Sequence, residues 1–136
     1  MRLSVFYSFL LLGVIIVFYF SWIPEPRLGL SKSLPGWISR WTDNDANMNL
    51  RTAIPFVFLG LVAASWLLKA KRLWYWWVSA WLGLVTIVVI AEAGQLLLPR
   101  RHFDWGDIAW GAAGSAAGML LLAIPILFIR LIKTAS

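Results

Sequence analysis

Cysteine is absent from the 136 residues, which excludes disulfides and thiolate chemistry and removes any reading of redox compartment. Charge is nearly as scarce. Asp, Glu, Lys and Arg together make 13% of the chain, about half the share expected of a soluble domain. There are only six acids and one histidine, so few groups are available for acid–base work. What the chain has in quantity is apolar surface, with 61% hydrophobic residues. A short soluble domain keeps too much of its area exposed to hide that much. The expectation is therefore an integral membrane protein. The net charge of +6 does not read as a nucleic-acid signal, because no soluble basic domain is present to carry it. Anionic lipid headgroups are its expected counterpart.

Four stretches approach the roughly 20 apolar residues that a spanning helix needs. They imply an all-α membrane protein, one domain over 1–136, with transmembrane helices at about 3–23, 48–68, 73–98 and 108–132. The outer loops then fall at 24–47 and 99–107. The first span is closed by Pro24-Glu25-Pro26, which cannot continue a helix. Its end lacks the small residues of a cleavage site, so it reads as a retained helix. The second has its apolar core at Ala53–Leu68, with Pro55 expected in the first turn and a true start nearer Met48. The third stops at Pro99, and the fourth carries Pro125 as an expected kink.

Basic residues divide evenly between the two sides. Arg2, Lys69, Lys71, Arg72, Arg130 and Lys133 share one side with no acid. Arg27, Lys32, Arg40, Arg51, Arg100 and Arg101 share the other with five acids. The dense, acid-free side is expected to be cytoplasmic, which places both termini inside. The ten tryptophans read as interfacial anchors, with Trp74, Trp76 and Trp77 at one boundary and Trp22, Trp37, Trp41 and Trp105 at the other. The stretch Leu34–Trp41 is expected to lie along the interface as a short amphipathic turn.

Polar residues concentrate between Glu92 and Gly118. Glu92 and Gln95 are three apart and share a helix face. An acid at the centre of a lipid-exposed helix costs about 2.5–3.5 kcal/mol on insertion scales, so Glu92 should face protein, water or a cation. Arg100, Arg101 and Arg51 are the candidate partners. Asp104 and Asp107 both precede the fourth span, where either can cap its free N–H groups. Asp107, Gly111, Gly114 and Gly118 form one stripe, and Gly114-x-x-x-Gly118 permits close helix approach. The third span is its expected neighbour, which gives a polar cluster at the outer ends of helices 3 and 4. Glu92, His102, Asp104 and Asp107 are metal-ligating types, but they form no compact ligand motif, and no metal or cofactor is expected. Each feature also has a plain structural role as helix cap, helix packing or an ion-paired clamp.

These residues resemble a known pattern. Glu92-Ala-Gly-Gln95, then Leu98-Pro-Arg-Arg101-His-Phe-Asp104-Trp-Gly-Asp107, then Gly114 and Gly118, is similar to the signature of the VanZ-like membrane protein family. Asn49–Gly60 resembles the family's second helix more loosely. Two positions depart. Trp110 stands where the family usually has Asn, and Asp43–Asn47 lacks the Lys and His that many members carry before the second helix. The resemblance implies a bacterial envelope protein of the cytoplasmic membrane, connected with susceptibility to glycopeptide antibiotics such as teicoplanin.

Three classes of function remain open on the sequence. The leading one is a non-catalytic protein that binds or moves an anionic lipid, such as a polyprenyl phosphate or a lipid-linked precursor. Arg100 and Arg101 would hold its headgroup above a floor of Glu92 and Gln95, with Asp104 and Asp107 beside them. The second is an intramembrane lipid hydrolase or phosphatase, which lacks an evident nucleophile–base pair, since nothing near Ser115 activates it. The third is a structural subunit of a homo- or hetero-oligomeric envelope complex.

Overall fold

In the computed structural model, residues 3–25, 27–32 and 34–135 are described. Arg2, counted above with the basic side, and Pro26, counted as a helix stop, lie outside them. The described residues are all helix and connection. The helices are α1 (Leu3–Ser21), α2 (Leu28–Ser31), α3 (Gly36–Thr42), α4 (Met48–Lys69), α5 (Trp74–Gln95) and α6 (Trp105–Ala135), with one 3-10 turn at Asp45–Asn47 leading into α4. Four of them, α1, α4, α5 and α6, are long and apolar enough to cross a membrane.

Helix α4 starts at Met48 as the sequence reading has it, whereas the end of α5 and the start of α6 differ. The 3-10 turn starts α4 at Met48, so Pro55 lies inside the helix, two turns past its start. A proline there donates no N–H to the helix ladder. Helix α5 ends at Gln95, before Pro99, because the chain tightens into successive i→i−3 bonds at Leu96, Leu97 and Leu98. Helix α6 begins at Trp105 because Asp104 caps it. The Asp104 carboxylate accepts the Gly106 N–H at 2.7 Å. Asp107, expected as a cap, is therefore a first-turn residue with its side chain free for another partner. Pro125 sits within α6 without interrupting it.

The helices alternate in direction. At one end Phe6 stacks on Trp66 at 5.3 Å beside the α4–α5 turn. That turn holds Lys71 in the left-handed region (φ 49°), and the Arg72 guanidinium lies over the Trp66 and Trp76 rings. At the other end lie the described residues of 22–47 and the connection 96–104. Helices α4 and α5 each contact both α1 and α6. The core is Val17, Phe56, Leu59, Ala63, Leu84, Val88 and Ala91, with a second cluster of Ala64, Leu67 and Met119 toward the α4–α5 turn.

The closest helix pair is α4 with α6, which run parallel and are separated in sequence by α5. A side chain on Gly60 would meet the Ser115 carbonyl, one on Gly114 the Ala53 backbone, and one on Gly118 the Val57 carbonyl. Only glycine admits that approach of backbones. This corrects the expected partner of the glycine stripe. Gly111 alone faces α5, against Val88, whereas Gly114 and Gly118 face α4. A short connection keeps α5 and α6 adjacent, but the small residues on α4 offer the closer fit.

Candidate functional site

A cavity of about 270 Å³ opens at the end of the bundle opposite the α4–α5 turn. Its charged lining residues and their polar neighbours come from four places in the chain. Glu92 and Gln95 come from the last turn of α5, Arg51 and Thr52 from the first turn of α4, Asp107 from the first turn of α6, and Arg101 from the connection. The early end of α5 puts Glu92 three residues from the helix terminus, about 4.5 Å along the axis at 1.5 Å per residue.

Glu92 is 2% exposed, and both of its carboxylate oxygens are used. Oε1 accepts from the Gln95 amide at 2.9 Å, and Oε2 accepts from the Asp104 backbone N–H at 3.2 Å. The acid therefore ties the end of α5 to the residue that caps α6. Such bonding offsets the cost of its burial. Asp107 accepts the Thr52 hydroxyl at 2.9 Å, joining α6 to α4. Thr52 escaped the sequence reading, although a hydroxyl beside an arginine at the mouth of an apolar run was its available signal.

The two neighbouring arginines separate. Arg101 is half-buried in the cavity wall. Its Nε donates to the Ile23 carbonyl at 3.0 Å, and Nη2 donates to the Phe20 and Glu25 carbonyls at 3.3 and 3.4 Å. It thus gathers one carbonyl from the last turn of α1, that of Phe20, and two from the segment that follows the helix. Burial lowers the affinity of its guanidinium for the proton, and Arg51 adds to this, while Glu92, Asp107 and Glu25 act the other way. Arg100, expected beside it, points out of the cavity. Its side chain is 73% exposed and pairs with Glu25 at 3.1 Å. Asp104 and His102 are also exposed. Among the described residues no three His, Cys, Asp or Glu side chains are grouped to hold a metal ion.

The loop that contains Leu34–Trp41 also covers the site. Leu28, Leu34, Ile38, Trp41 and Thr42 all line the cavity. Asp43 staples this cover by accepting the Leu28 and Gly29 N–H groups at 2.8 and 2.9 Å. Trp22, expected as an anchor only, also donates its indole N–H to the Ala91 carbonyl at 3.1 Å and packs on Gly94. Ser115, the hydroxyl weighed as a nucleophile, is fully buried and donates to the Ala112 carbonyl.

The arrangement is amphipathic. Two guanidinium groups and two carboxylates share the lining with a largely apolar wall that includes Ile16, Val17, Phe20, Ile54, Phe56 and Val88. Comparison with family models, with characterised proteins and with solved structures finds no match to this chain.

Proposed function

We propose that this chain is a VanZ-like multi-pass protein of the bacterial cytoplasmic membrane, both termini inside, that binds an anionic lipid or lipid-linked envelope precursor. The observation that carries the reading is a single cavity whose lining combines charged groups with apolar side chains of the long helices. A molecule complementary to it has a phosphate-bearing head and an apolar chain. Arg51 supplies the direct contact, since guanidinium groups match phosphate oxygens in pairs. Arg101, whose Nε and Nη2 hold α1, contributes mainly charge. Glu92 with Gln95 forms the polar floor.

A polyprenyl phosphate reconstituted with the purified chain in phosphatidylcholine vesicles tests this. Arg51→Gln should weaken binding about tenfold or more, the effect of losing ~1.4 kcal/mol or more of charge-assisted hydrogen bonding. Arg100→Gln, which removes only the exposed Glu25 pair, should leave it unchanged. Equal affinity in wild type and Arg51→Gln would remove the headgroup site. The connection with glycopeptide susceptibility rests on the family resemblance, and deleting the chain from its host should shift teicoplanin susceptibility.

The hydrolase reading now has one specific observation behind it, the Thr52 hydroxyl bonded to Asp107 within the cavity. Binding is the better reading, because this pair has no imidazole to carry the proton onward. Phosphate release from a prenyl phosphate, lost in Thr52→Val, would reverse the order.

A further inference from the structure

The cavity is covered on the side where water would be expected to reach it. Segments 27–32 and 34–42 lie across that end, with Leu28 and Thr42 buried, and Asp43 pins the first of them. None of the charged lining side chains is largely exposed. Glu92 is buried, and Arg51, Arg101 and Asp107 are half-buried. Three lining residues are exposed, and all three are apolar: Ile16 at 41%, Ile54 at 51% and Trp41 at 39%. Ile16 lies five residues inside the end of α1 and Ile54 six residues inside the start of α4. At 1.5 Å per residue these positions are about 8 and 9 Å down their helices, within the depth of the hydrocarbon. An opening to water would have a polar rim, whereas this one is rimmed by isoleucine and tryptophan.

From these placements we infer that the cavity is filled sideways, from within the bilayer, through a mouth between α1 and α4. This rests on the lipid-binding reading above and deepens it. The ligand is then a membrane-resident lipid that slides its phosphate head past Ile16 and Ile54 to Arg51. Its chain remains in the mouth, where the bilayer already solvates it. No apolar chain has to cross water, and the cover formed by α2 and α3 need not open.

The test uses the full chain in phosphatidylcholine vesicles with a prenyl phosphate carrying a photoreactive group in its chain. Ile16→Trp and Ile54→Trp together should narrow the mouth and reduce labelling of cavity residues about tenfold, the effect of ~1.4 kcal/mol of steric cost. Leu121→Trp, at a still more exposed site on α6, should leave labelling unchanged. Should the double tryptophan variant fail to fold, Ile16→Ala with Ile54→Ala tests the same mouth, and labelling should then become faster than in wild type. Labelling that depends on Arg51 but ignores both pairs of mouth variants would overturn the sideways route and leave lipid binding intact. Labelling that ignores Arg51 as well would overturn both.

Discussion

Glu92 is the residue on which two helix ends depend. Its carboxylate accepts one bond from Gln95 within α5 and one from the backbone that opens α6. Glu92→Ala would leave the buried Gln95 amide without this partner and strip the Asp104 N–H of its acceptor, a loss of about 1–3 kcal/mol. Glu92→Gln keeps an acceptor for Asp104 and should retain at least half of that stability. Thermal unfolding in detergent distinguishes the two, and equal loss in both variants would show that charge, rather than hydrogen bonding, holds the junction. Arg101 makes a similar link on the other flank, from the α5–α6 connection to the end of α1. Its neighbour Arg100 has the same charge and a different task, because one step along an irregular connection turns the side chain outward.

Elements pack here through small residues. Without a hydrophobic drive between helices inside lipid, close backbone approach is what favours one pairing over another. The Gly60, Gly114 and Gly118 positions on α4 and α6 supply it. Gly118→Ala places a methyl group against the Val57 carbonyl, and neither backbone can turn away, so a loss of about 1–3 kcal/mol or more is expected. Gly83→Ala is the matched control. That glycine is in the middle of α5 with open space around it, and the exchange should be neutral or stabilising by up to about 1 kcal/mol. Denaturation of both variants in the same detergent gives the comparison. Similar stability for the two would mean that α4 and α6 do not depend on close contact.

At the scale of the whole molecule, the basic α4–α5 turn and the covered cavity mark opposite faces. The dense, acid-free side is expected inside and the covering loop outside. A cysteine in place of Lys71 should be reached by a membrane-impermeant thiol reagent only in inside-out vesicles, and one in place of Lys32 only in right-side-out vesicles. The reverse pattern would invert the orientation.

The four long helices were legible because hydropathy over some 20 residues depends on composition alone. The sequence also singled out Glu92, Gln95, Arg101 and Asp107, because ionised and amide groups are costly in an apolar chain and must meet partners. The structure places all four on one cavity wall. Periodicity shows which residues share a face, but not which helix that face meets. Gly114 and Gly118 therefore pointed to close packing without revealing α4 as the neighbour. Likewise Asp107 is the expected cap from sequence, and the start of α6 gives that role to Asp104 instead.

The scarcity of cysteine and charge, the long apolar stretches and the even split of basic residues are properties of the chain itself. They determine that it is helical, membrane-suited and polar at one place. Only the tertiary structure decided that Arg51 and Thr52 join that place, that Arg100 leaves it, and that α2 and α3 cover it. Those outcomes depend on contacts between residues up to 81 positions apart, and local sequence carries no signal for contacts that exist only after the helices have packed.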